Sequence, residues 1–198
     1  MKQERAIRTR EAILNAAAAE FAAHGFAHAN LQRVVERTGL TRGALYGHFA
    51  SKGALADELT SLFRHELSAL AARSGARAVP AARALRELVV ELARRVCHEN
   101  RFRAGLRLMA ESPDGERGEM TCELNALLRV LTSLLEHSAA GGDPERLGRA
   151  LLWTVLGLQH TPTGGRHEDD LRELCDVLAP GKGGGPAAES PGSRRPEP

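Results

Sequence analysis

Between residues 31 and 55 the chain reads LQRVVERTGLTRGALYGHFASKGAL, and this run constrains the fold more than any other. Leu31, Val34 and Val35 recur at helical spacing behind Asn30, a good N-cap, so a short helix can lay one apolar face on a core. Thr38-Gly39 stops that helix, because Gly39 can take the left-handed conformation a helix C-terminus favours, and Leu40 can turn inward. Thr41 then caps a second helix, with Leu45 and Phe49 on its buried side and Arg42, Gly43, Tyr46 and His48 on its exposed side. Ser51 caps the next. Two short helices hinged at a glycine in this way form a helix-turn-helix, whose second helix enters the major groove of DNA.

That layout alone does not carry the function, since helix pairs around a glycine occur in many all-α proteins. The residue types add to it. Gly43 lets the second helix lie close to a backbone phosphate, and Lys52 sits at the positive end of the following helix, where a phosphate oxygen is favoured. Residues 1–53 hold eight Lys or Arg against four Glu, a balance of +4, whereas the rest of the chain balances at −2. A basic head on a mildly acidic body is the footprint of phosphate contact. Lys2, Arg5, Arg8 and Arg10 read as an arm ahead of the first helix, able to neutralise phosphates or reach a minor groove, although for Lys2 and Arg5 a solvated charge run is an equal reading.

The head resembles the TetR-type transcriptional repressors. The resemblance rests on Thr9-Arg10, Ile13, Ala16, Ala17, Phe21 and Gly25-Phe26. It continues through Leu31, Val34, the run Gly39 to Tyr46, His48-Phe49, Ser51-Lys52 and Leu55. It implies a three-helix DNA-binding domain over 1–53, a ligand-binding and dimerisation domain over 54–180, and derepression when a small ligand binds. It also implies that Arg5, Arg8, Arg10, Asn30, Thr41, Arg42, Gly43, Tyr46, His48 and Lys52 face operator DNA.

Behind the head, apolar residues at helical spacing continue without an alternating strand pattern, so the fold is expected to be all-α with about nine helices. A long helix opens at Ser51 and carries Leu55, Leu59, Leu62, Phe63, Leu67 and Leu70. It leads from the DNA side into the body as a lever. Pro80 starts a helix with a supporting Glu91–Arg95 pair, and residues 103–111 form a shorter one. Further segments begin near Met120, at Asp143-Pro144 and near Glu168. Residues 181–198, rich in Gly, Pro and Ser, are expected to be a disordered tail, and Gly181-Lys182 lacks the spacing of a phosphate loop.

A half-site reader gains affinity and specificity as a homodimer on palindromic double-stranded DNA. The family resemblance places the dimer face on the last two helices, 143–160 and 168–178, with Leu147, Leu151, Val155, Leu158, Leu171, Leu174 and Leu178. Helices between residues 80 and 137 would surround the inducer. The candidate lining is Leu92, Val96, Phe102, Leu106, Met109, Leu124, Leu127, Leu131 and Trp153, with Phe63 and Leu156 beside them, though ordinary core packing explains each residue as well. Five of the seven aromatics lie in or beside the head, so a small aliphatic or lactone-like inducer fits better than a large planar one.

A narrower resemblance points the same way. Arg103-Ala104-Gly105-Leu106-Arg107-Leu108, Gly157-Leu158-Gln159 and Leu178-Ala179-Pro180-Gly181 are similar to the γ-butyrolactone autoregulator receptors of actinomycetes, which implies a lactone inducer and control of secondary metabolism. The chain departs from them in having no Trp between Ser112 and Asn125, so a related regulator answering to another small apolar ligand or to an antibiotic stays open, as does control of an efflux or resistance gene. Catalysis is not expected: the eight His are scattered and no metal-ligand spacing occurs, so no metal or cofactor is assigned. An architectural DNA binder would be more basic and would not need so large an aliphatic body. Cys97, Cys122 and Cys175 read as reduced core thiols, and with no apolar run near the ~20 residues of a membrane span, a cytoplasmic protein is expected.

Overall fold

The computed structural model describes residues 2–76, 79–112, 121–138, 140–161 and 166–180. Among these residues there are nine α-helices and no strand. They are α1 (Lys2–His28), α2 (Leu31–Thr38), α3 (Arg42–His48), α4 (Lys52–Gly75), α5 (Ala81–His98), α6 (Asn100–Ala110), α7 (Cys122–Glu136), α8 (Pro144–Gly157) and α9 (His167–Leu178). A 3-10 turn at Leu158–His160 follows α8. The expected tail over 181–198 lies outside the described residues, as does Met120.

Caps set the helix boundaries where the sequence signals them. The side-chain oxygens of Asn30, Thr41 and Ser51 accept from the backbone N–H of Gln32, Ala44 and Ala54 at 2.8, 3.1 and 3.0 Å. Asp143 caps α8 through Glu145 N–H and Arg146 N–H, with Pro144 at the first helical position. Two expectations move slightly. Pro80 stands just outside α5 rather than within it, and α6 begins three residues earlier than residue 103.

One expectation is corrected outright. Arg5, Arg8 and Arg10 are not an arm ahead of the first helix, because α1 already runs from Lys2. The stretch from residue 2 holds no Gly or Pro before Gly25, so nothing in it breaks a helix. Gly25 does break it, at φ 69° and ψ −178°, a backbone that L side chains rarely adopt.

Apolar residues gather in two cores. The first holds Ile13, Leu14, Ala17 and Phe21 of α1, Val34 and Val35 of α2, Leu45 and Phe49 around α3, and Leu55 and Leu59 of α4. Ala104 and Leu108 of α6 complete it. The second, larger core joins Phe63, Leu67 and Leu70 of α4 to Phe102, Leu106 and Met109 of α6 and to the inward faces of α5, α7, α8 and α9. Thus α4 and α6 each contribute to both cores. Their close approach depends on Gly105, where a Cβ would fall 2.2 Å from Phe63 Cβ and 3.2 Å from the Leu59 carbonyl oxygen. Phe63 in turn meets Phe102 edge-on, with ring centroids 4.8 Å apart.

Polar pairs fix the outer faces. The expected Glu91–Arg95 pair forms at 2.7 Å, and Arg94 joins it at 3.0 Å. These hydrogen bonds, Arg94 foremost, hold the Glu91 carboxyl below its usual range despite some burial. Cys97 and Cys175 are core thiols as expected, and burial pushes the Cys175 thiol up to about 11, but Cys122 is exposed at the start of α7.

Gly105→Ala should lower the unfolding free energy by about 1–3 kcal/mol, because the added methyl forces α6 off α4. Gly157→Ala, with no atom within 4 Å of the new Cβ, serves as the control and should be neutral or stabilising. Urea denaturation followed by circular dichroism distinguishes them, and equal midpoints would rule out the close approach at Gly105.

Candidate nucleic-acid interface

The candidate interface is built from α1 outward. Glu20 lies on the apolar stripe of α1 and is 1% exposed, a carboxylate where the helix otherwise buries Ile13, Ala17 and Phe21. Its Oε1 accepts from the Asn30 backbone N–H at 3.1 Å and from Arg33 Nη1 at 3.1 Å. Arg37 Nη2 stands 3.7 Å from Oε2, and His24 Nε2 stands 3.9 Å from Oε1. A buried charge is tolerated when paired and hydrogen-bonded, and here the pairing ties α1 to the first residue of the helix-turn-helix and to one side of α2. Sequence reasoning missed Glu20. Its signal was a lone charge at a core position of an amphipathic stripe.

The turn then presents α3. Gly39 is left-handed at φ 66°, its N–H reaching the Glu36 carbonyl, while Thr38 Oγ1 donates back to the Val34 and Val35 carbonyls. Leu45 and Phe49 turn inward at 1% and 5% exposure. Arg42, Gly43, Tyr46 and Gly47 face outward together, His48 is half-buried, and a Cβ on Gly43 would meet nothing closer than Thr41 Oγ1 at 3.9 Å. The outer face of α3 is therefore low at its N-terminal end and carries one guanidinium and one phenol. Arg42 forms no ion pair among the described residues.

The other expected DNA contacts are placed less simply. Arg5 and Arg8 are exposed on the first turns of α1. Arg10 is a correction: its Nη2 bonds Glu58 Oε1 at 2.9 Å and its guanidinium lies 4.9 Å over the Phe49 ring, so it braces α1 against α4. Lys52 is turned inward as well, its Nζ donating to the Ala27 carbonyl at 3.2 Å and lying 5.0 Å from the centre of the Phe26 ring. Asn30 and Thr41 are exposed, with their side-chain oxygens engaged in capping. Much of the basic surplus of the head is thus spent within the fold.

The end of α6 holds the head in place. Glu111 Oε2 accepts from the Phe26 backbone N–H at 2.6 Å, and Arg107 joins Glu111 Oε1 at 2.9 Å to the Ala22 carbonyl at 3.1 Å. Arg101 Nε reaches Asn15 Oδ1 at 2.7 Å, and its Nη2 pairs with Glu11. These contacts clasp α1 on both sides of its break.

In the body, Leu92, Val96, Phe102, Leu106, Met109, Leu124, Leu127 and Leu131 come together in one core, each at most 5% exposed. Trp153 does not join them. It is 53% exposed, because α8 turns Leu151, Leu152, Val155 and Leu156 inward and position 153 falls on the opposite side. Among the expected dimer-face residues, Leu151, Val155 and Leu171 are buried within the chain, while Leu174 is exposed beside Val177. Among the described residues no three His, Cys, Asp or Glu side chains are placed to hold a metal ion, and no helix is long and apolar enough to cross a membrane.

Glu20→Ala should cost about 2 kcal/mol of stability, the scale of two hydrogen bonds to a charged group offset by the freedom of the two arginines to reach water. It should also raise the exchange rate of the Asn30 amide hydrogen. Native-state hydrogen exchange provides the check, and unchanged protection of Asn30 would exclude the clamp.

Residues 13–59 match the family model described as bacterial regulatory proteins, tetR family. The A-factor receptor protein of Streptomyces griseus is 44% identical over 69 residues, which cover 33% of this chain and only 25% of the receptor's length. Two solved structures extend the likeness to the body. A γ-butyrolactone receptor described as ArpA-like is 26% identical with a TM-score of 0.64, over 87% of this chain and 98% of the receptor chain. The TetR family protein CprB of Streptomyces coelicolor, solved in complex with its operator sequence, is 29% identical with a TM-score of 0.67, over 88% of each chain. The head thus matches the tetR family model, and most of the chain shares the fold of these TetR-type regulators.

Proposed function

We propose that the protein is a dimeric transcriptional repressor that reads a palindromic operator through α3 and releases it when a small apolar ligand enters the body. The observation that carries this reading is the outer face of α3, where Arg42, Gly43 and Tyr46 stand clear of the fold while Leu45 and Phe49 anchor the helix from behind. That arrangement offers a guanidinium for a base edge and a close backbone approach at Gly43. Arg5, Arg8, Asn30, Thr41, His48 and Lys52 are proposed to position this face on the phosphates. For Lys52 the ammonium keeps donors beyond the one given to Ala27.

The division of labour falls at residue 53, with 1–53 reading DNA and 54–180 sensing and pairing. Trp153 on α8 and Leu174 and Val177 on α9 are apolar side chains left exposed at 53%, 37% and 73%, and we assign the dimer contact to these two helices. The likeness to γ-butyrolactone receptors supports a lactone or another small apolar inducer and a role in secondary metabolism. Such a ligand would enter among Leu92, Val96, Phe102, Leu106, Met109, Leu124, Leu127 and Leu131. Because these residues are closely packed, binding must part α5, α6 and α7, and α4 and α6 would carry that displacement to the head.

Gel shifts on palindromes near the protein's own gene, with and without lactones, test the reading. Random DNA bound as tightly as any palindrome would favour an architectural role instead. Arg42→Ala should cost about 1–3 kcal/mol on the operator and relax preference at one base position, whereas a uniform loss across sequences would make it a phosphate contact. Lys52→Ala should weaken all sequences alike and flatten the salt slope by about one. Trp153→Arg combined with Val177→Arg should give monomers in analytical ultracentrifugation, and an intact dimer would move the contact elsewhere.

A further inference from the structure

A cleft of about 560 Å³ opens between the first half of α4, the end of α6 and Phe26, away from the outer face of α3. It is within the size range of small-molecule sites. One wall is a polar stripe of α4, with Asp57, Thr60, Ser61 and Arg64 following one another along its length. Phe26, Leu108 and Met109 supply apolar lining, with Ser112 beside them at the end of α6. Asp57 and Arg64 lie seven residues, about two helical turns, apart on α4, which sets their backbone positions about 10 Å apart along the axis. Asp57 is exposed and forms no hydrogen bond or ion pair among the described residues. Arg64 is exposed too, with Glu123 of α7 in its field. Glu111, also in the wall, is already engaged by Arg107 and the Phe26 N–H.

We propose that this cleft is an effector site for a zwitterionic molecule about 10 Å long. Its ammonium pairs with Asp57, its acidic group pairs with Arg64, its polar middle meets Thr60 and Ser61, and its apolar side lies on Phe26 and Met109. A free tripeptide has this span, since each extended residue covers about 3.3–3.6 Å. The occupant bears directly on Phe26, whose N–H bond to Glu111 ties the head to the end of α6 and whose ring meets Lys52 at the start of α4. Filling the cleft shifts that seat and weakens operator binding. The site differs in place and in ligand chemistry from the apolar interior of the body, and only its effect on DNA rests on the reading of the chain as a repressor.

Calorimetry on the full chain with the tripeptide Gly-Leu-Gly tests the site without DNA. The peptide with free termini should bind, and N-acetylation or C-amidation should each weaken binding at least tenfold. Asp57→Asn should abolish the discrimination against the acetylated peptide, and Arg64→Gln the discrimination against the amidated one. Ser61→Trp should close the cleft while circular dichroism stays unchanged. No binding, equal binding of free and capped peptides, or discrimination that survives both substitutions overturns the proposal. Saturating Gly-Leu-Gly should then weaken the operator complex at least tenfold in a gel shift. An operator complex indifferent to bound peptide overturns the effector role, whereas a protein that binds no operator at all contradicts the repressor reading and leaves the calorimetric result standing.

Discussion

Gly105 allows α6 to lie against α4 at Phe63, and that approach makes head and body parts of one structure. With a side chain at that position α6 would stand off, and neither Ala104 and Leu108 nor Phe102 and Leu106 could reach their separate cores together. Two helices shared by two cores are a mechanical coupling. A displacement of α6 within the body changes the packing beneath α1 and α3 because close-packed interiors transmit strain rather than absorb it. The hydrogen bond from Phe26 N–H to Glu111 and the Arg101 and Arg107 contacts add a polar clasp to that apolar joint.

The second organising interaction is the Glu20 carboxylate. Burying it is costly, and it is retained on a face where Leu or Ile would pack more simply. What it supplies is direction. An apolar contact holds two helices together but tolerates sliding, whereas hydrogen bonds to the Asn30 N–H and to Arg33 fix where α2 begins against α1. The three-residue turn Gly39-Leu40-Thr41 then leads from α2 into α3, whose Leu45 and adjoining Phe49 pack into the same core.

Charge shows why composition misleads at this scale. The head carries a surplus of four positive charges, yet Arg10, Arg33 and Arg37 are paired with Glu58 and Glu20, and Lys52 bonds a carbonyl. The positive field of the head remains, because paired charges at the surface still sum, but among the described side chains the basic groups that stand clear of internal pairs are fewer: Arg5, Arg8 and Arg42.

Elements of local origin are legible in the residues alone: the caps at Asn30, Thr41, Ser51 and Asp143, the turn at Gly39, the inward Leu45 and Phe49, and the all-helical periodicity of the body. Each follows from backbone sterics or hydrogen bonds within four residues, so neighbours in sequence suffice to specify it. Tertiary structure alone decided the rest. Arg10 was turned from an arm residue into a brace and Trp153 from an interior position to the surface. The charge at Glu20 became a clamp, and the cleft beside Asp57 and Arg64 formed where three separate segments meet. The brace and the clamp depend on partners 10 and 48 positions away in the chain, Asn30 for Glu20 and Glu58 for Arg10, and no local pattern encodes such a partner.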